Sequence, residues 1–172
     1  MGAGFAGKHE GDSGSMNKYM KSVAAALAAA ICVAAAGCGK QQAALNPADA
    51  AAQLKDNVSF TDQMTEMDNA GTCRFYDVDT ALVQDSAAWV GSGASAESLA
   101  VFEATDTETA SDIADALQTF TDSWIKGYSD YKPEEVPKLE SAVLEQDGVY
   151  VVYCVTADND AAKTAVRELL NP

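Results

Sequence analysis

The chain has 172 residues, with 26 acidic against 11 basic side chains, a net charge of −15 and one histidine. That charge repels nucleic acid and anionic headgroups, so neither is an expected partner. The one histidine, His9, precedes the segment that carries the fold. Histidine triads and histidine metal sites are thereby set aside, and neither a metal nor a cofactor is expected.

Residues 1–15 are glycine-rich and lack an apolar period. They read either as an extension ahead of a true start at Met16 or as a tag, and contribute nothing to the fold. Residues 16–37 read as an export signal. Lys18 and Lys21 open it, an uncharged alanine-rich run follows from Ser22 to Ala36, and Ala35-Ala36-Gly37 closes it. Cys38 directly after Ala-Gly resembles the lipobox of bacterial lipoproteins. That resemblance implies a diacylglyceryl group on Cys38, which becomes the new N-terminus. The pattern prefers leucine where Ala35 stands. Two plainer readings are ordinary cleavage, leaving Cys38 a thiol, and a transmembrane anchor. The uncharged stretch between Lys21 and Lys40 is short and weakly apolar for a span of about 20 residues. A lipidated Cys38 would hold the protein outside the cytoplasm, on the outer face of the cytoplasmic membrane, and two acyl chains suffice for stable anchoring. Residues 38–46 are then a polar tether, and residues 47–172 are expected to form a single α+β domain.

Asp49 to Val58 has the spacing of a short helix, with Ala51, Leu54 and Val58 on one side. Ser59 to Asp85 shows no clean period. A short helix or irregular turns are expected there, with Phe60, Met64, Met67, Phe75 and Tyr76 against the core. Ser86 to Ser92 (SAAWVGS) reads as a strand and Gly91 to Glu97 as a loop of small residues. Ser98 to Thr105 (SLAVFEAT) reads as a second strand. Asp106 is placed to cap a long helix reaching about Tyr128. Its stripe is Ala110, Ile113, Leu117, Phe120, Trp124 and Tyr128. A loop from Ser129 to Pro137 leads to a hairpin, Ser141 to Gln146 and Val149 to Thr156, joined at Asp147-Gly148 as a type I′ turn. Asp158 or Asn159 caps a last helix carrying Ala162, Ala165, Val166, Leu169 and Leu170.

The order strand, strand, helix occurs twice, and sliding the first unit onto the second lays Asp106 on Asp158, Ala110 on Ala162 and Leu117 on Leu169. The expected fold is two ββα units sharing one antiparallel sheet of about four strands. The long helix and the C-terminal helix pack on that sheet.

SGASAESLAVFEA, the helix after it, YKPEEVPKLESAV and DGVYVVYCV resemble, in that order, the domain-of-unknown-function family numbered 4358. Its members look like small lipoproteins of Gram-positive, mostly clostridial, bacteria. The resemblance runs from about Ser59 to Leu170 and implies an envelope lipoprotein without an assigned activity. Cys73 and Cys154 are not part of that pattern.

Those two cysteines could form a disulfide worth roughly 4 kcal/mol in the chain-entropy view, or be two buried thiols. Tyr131, Pro133, Glu134, Glu135, Pro137 and Lys138 could form a rigid recognition edge for a peptide or wall fragment, with Tyr128 and Tyr131 stacking. The plainer reading is a stiff connector between helix and strand. Asp77-Val78-Asp79 and Asp158-Asn159-Asp160 resemble calcium-loop fragments, but capping explains them better. No catalytic residue is assigned. The leading reading is a lipid-anchored, non-enzymatic binding module at the cell envelope. The alternatives are a carboxylate-based envelope enzyme, such as a wall glycan hydrolase, and a structural accessory of an exported complex.

Overall fold

The computed structural model describes residues 44–172. The expected export signal, Cys38 and the tether up to residue 43 lie outside those residues. The elements in chain order are α1 (Pro47–Asn57), β1 (Thr65–Met67), α2 (Asn69–Tyr76), β2 (Val83–Val90), β3 (Ser98–Ala104), α3 (Thr107–Tyr131), α4 (Val136–Glu140), β4 (Val143–Asp147), β5 (Tyr150–Val155) and α5 (Asn159–Leu170). Short 3-10 turns occupy Thr80–Leu82 and Pro133–Glu135.

The fold is α+β, as expected, but the antiparallel sheet has five strands, in the order β1-β2-β3-β5-β4. The extra strand is β1, three residues of which two are exposed. It carries too little apolar alternation to stand out in sequence and exists because Met67 and Thr65 pair with Ala88 and Val90. The unclear segment also contains the short helix α2, capped by Asp68, whose carboxylate accepts from the Gly71 amide. At the hairpin, Asp147 is the last strand residue and pairs with Tyr150, so the two-residue loop is Gly148-Val149. Only Gly148 has positive φ, at 56°. That is the pattern of a type II′ turn, in place of the type I′ turn expected one residue earlier.

The sheet is covered on both faces. Ala88, Ala100, Phe102, Val151 and Tyr153 face a core closed by α2 and α3. Ala87, Leu99, Val101, Val152 and Cys154 face a second core closed by α1 and α5. The register explains this. Ala100 lies opposite Tyr153 and Leu99 opposite Cys154, so even residues of β3 share a face with odd residues of β5. Sliding the first ββα unit onto the second keeps parity, and therefore lays Phe102 on Cys154, which faces the other way. α3 packs on the face that carries Phe102 and α5 on the face that carries Cys154, so the two helices end on opposite sides. The repeat is one of element order and has no matching twofold in the sheet.

On the α3 side the core is aromatic. The Tyr76 ring lies 4.9 Å from Phe120, 5.6 Å from Tyr153 and 5.9 Å from Phe102. Each such side chain contributes about 1.5–3 kcal/mol by leaving water. The helix does not fray at Gly127; it continues through Tyr131, whose neighbour Lys132 donates its N–H to the Tyr128 carbonyl at 2.7 Å.

Candidate functional site

Three segments meet at the sheet end where β2 turns into β3: residues 59–64, residues 91–97 and residues 131–138. Glu97 is the centre. It precedes β3, is 1% exposed, and accepts from the Thr61 amide at 2.7 Å, the Asp62 amide at 2.9 Å and the Thr61 hydroxyl at 2.8 Å. Lys138 lies 3.5 Å from Glu97 and 3.0 Å from Glu135, bridging the two carboxylates. Glu135, itself 8% exposed, accepts from the Ala96 amide at 2.9 Å. Asp62 closes the set from the other side, accepting from the Ser92 amide and hydroxyl at 2.9 Å each and from the Ser95 hydroxyl at 3.1 Å. Tyr128 donates its hydroxyl to the Ser95 carbonyl at 2.7 Å, and Lys132 donates to the Ala94 carbonyl.

The electrostatics follow from this wiring. Burial raises Glu135, but the Ala96 amide and Lys138 outweigh it and hold its carboxyl below the usual range. Loss of water also raises Asp62, while hydrogen bonds from Ser92, Gln63 and Ser95 leave it lowered. Burial pulls Lys138 down, and the two glutamates carry it above its ordinary value. A glycosidase acid needs the reverse, a carboxyl held up and facing a cleft. Here the carboxyls of Glu135 and Asp62 are held low by internal donors, and the arrangement ties three segments together.

Of the six residues read as a recognition edge, Glu135 and Lys138 therefore turn inward, into this clasp. Pro133, Glu134 and Pro137 are exposed at the surface of the 3-10 turn and α4. Tyr131 is 71% exposed and stands outermost. The connector is stiff, as the two prolines suggest, and it also locks the sheet end. Sequence reasoning missed Glu97 and Asp62 because both sit in what read as small-residue or irregular loops. The usable signal, for Glu97, was an acid directly before an apolar strand, Ser98–Ala104.

Cys73 and Cys154 are free and buried. The possible disulfide between them is not formed, since they belong to cores on opposite faces with the sheet between. Burial raises the Cys73 thiol, and burial followed by the Glu97 charge pushes Cys154 up to about 12. The calcium-like fragments act as caps: Asp79 accepts from the Ala81 amide and Asp158 from the Ala161 amide. Among the described residues no three His, Cys, Asp or Glu side chains are grouped to hold a metal ion.

On the outer side of α3 a second feature adjoins the clasp. Rings run along the helix from Phe120 to Trp124 at 4.8 Å, to Tyr128 at 5.6 Å and to Tyr131 at 6.5 Å. Ser123, Trp124, Gly127, Tyr128 and Tyr131 line a shallow recess of about 200 Å³.

No curated protein and no solved structure matches the chain. Over residues 56–156 it matches the family described as Domain of unknown function (DUF4358). That stretch begins at the end of α1 and closes on β5, taking in the whole sheet and every residue of the clasp. The match covers more than half of the chain, and the protein belongs to that family.

Proposed function

We propose that the protein is a lipid-anchored, non-enzymatic binding module, held by a diacylglyceryl group on Cys38 at the outer face of the cytoplasmic membrane. The observation that carries the non-enzymatic part is the clasp. The buried carboxylates Glu97 and Glu135 accept from backbone amides and from the half-buried Lys138, which leaves neither poised toward a cleft. The anchored part is supported by Met16 to Cys38 in the sequence and by where the fold starts. Leu45 donates its N–H to the Tyr150 hydroxyl at 3.0 Å, only seven peptide units after Cys38. An extended tether of that length spans at most about 25 Å.

The test is metabolic labelling with an alkyne fatty acid, followed by membrane fractionation, for wild type and Cys38→Ser. The wild type should carry label and sediment with membranes, and the variant should lose both. A wild-type protein found in the cytosol, unlabelled and with residues 16–37 still attached, would sink the reading.

A further inference from the structure

Strand β1 leaves the sheet early, and β2 runs on without it. Gly91, just past β2, donates its N–H to the Glu97 carbonyl at 3.0 Å, so odd-numbered residues here direct their backbone groups toward β3. Even-numbered ones direct theirs the other way. β1 stands opposite Val90, Trp89 and Ala88 and ends there, and Asp68 and Asn69 turn the chain into α2. Ser86 is the next residue whose amide points outward. No strand lies across from it among the described residues, and its N–H is taken by the carboxylate of its neighbour Asp85 at 2.8 Å. From Asp85 to Ala87, β2 is therefore an open sheet edge.

That edge borders a recess of about 910 Å³ whose two walls differ. Glu66 pairs with Trp89, and Asp85 is two residues along from Ala87, so both acids belong to the face covered by α1. Met67 pairs with Ala88 and belongs to the face covered by α2, where Phe75 also packs. Arg74 is the one basic side chain lining the recess among the described residues, and neither Glu66 nor Asp85 forms an ion pair among them. An unpaired edge selects an extended backbone, which can continue the ladder that β1 abandons. Side chains of such a strand alternate between the two walls, so the acidic wall selects cations and the other wall apolar groups. We propose that this edge binds an extended peptide segment of a partner protein in which basic and apolar residues alternate, added to the sheet beside β2. The proposal rests on the reading of the protein as a binding module and names the chemistry of its partner.

The test titrates the full-length chain in non-ionic detergent into a fluorescein-labelled hexapeptide of alternating lysine and valine, followed by anisotropy. Saturable binding is expected, weakened by about tenfold or more in Glu66→Lys. Asp112→Lys, the same change of net charge on the exposed side of α3, should alter it by about twofold or less. Glu66 is exposed on a three-residue strand, so Glu66→Lys should melt as the wild type does. Methylating alternate backbone amides of the peptide keeps its charge and should abolish binding, an arm that needs no change in the protein. Absence of saturable binding would overturn the proposal. So would equal affinity for the methylated peptide, or equal weakening by Asp112→Lys, either of which would reduce the effect to net charge. A dimer of the wild type that Glu66→Lys dissolves would also overturn it, by making a second copy the occupant. Fatty-acid labelling of Cys38 is read separately, so failure of peptide binding and failure of anchoring are distinguishable.

Discussion

The two ends of the sheet use the same chemistry, a carboxylate accepting from backbone N–H groups, in opposite ways. At the hairpin end the acids act locally and in water. Asp106 accepts from the Thr109 amide three residues on, and Asp79 from the Ala81 amide two residues on. At the clasp end the acids act at long range and out of water. Glu97 reaches Thr61 and Asp62, and Glu135 reaches Ala96, each from more than thirty residues away in sequence. The local acids start helices. The distant acids hold three chain segments in register, and their loss leaves buried donors with nothing to bond.

Glu97→Ala should break that contrast most severely. It removes the shared acceptor of the Thr61 and Asp62 amides, both bonds being partly buried, and leaves Lys138 with one partner where it had two. A loss of about 3–5 kcal/mol in urea-unfolding free energy is expected. Glu135→Gln should weaken the domain by about 1–2 kcal/mol at neutral pH, since the amide can still accept from Ala96 but no longer pairs with Lys138. The acid limb sharpens this. Glu135 has a folded value below its ordinary 4.5, so its contribution is present above that value and disappears as pH falls through the lower folded one. Wild-type stability should therefore drop more steeply below about pH 4.5 than that of Glu135→Gln, as seen in urea midpoints across that range. Asp106→Ala removes an exposed cap and should lower the melting temperature measurably, but less than either clasp change. Gly127→Ala should act in the opposite direction, raising stability by about 0.5–1 kcal/mol, since the helix gains a better former and the new Cβ clashes with nothing.

What the sequence disclosed follows the same division. Asp106, the stripe from Ala110 to Tyr128 and the hairpin around Gly148 act over a few residues, and their patterns survive in the linear chain. The pairing of β1 and the bridging of Glu97 and Glu135 by Lys138 depend on residues brought together only by the fold. Glu135 and Lys138 were visible as charges in a proline-framed segment, but nothing local distinguishes an inward glutamate from the exposed Glu134 beside it. The opposite placement of α3 and α5 likewise follows from a register parity that no single strand displays.

The interior position of β5 carries a liability for the unfolded chain. All six residues from Tyr150 to Val155 are buried, and none is charged, proline or glycine. Such a stretch is what cross-β stacking favours when it is left uncovered. Asp147 and Asp158, just outside its two ends, are placed as gatekeepers against self-association before the strand finds its slot between β3 and β4.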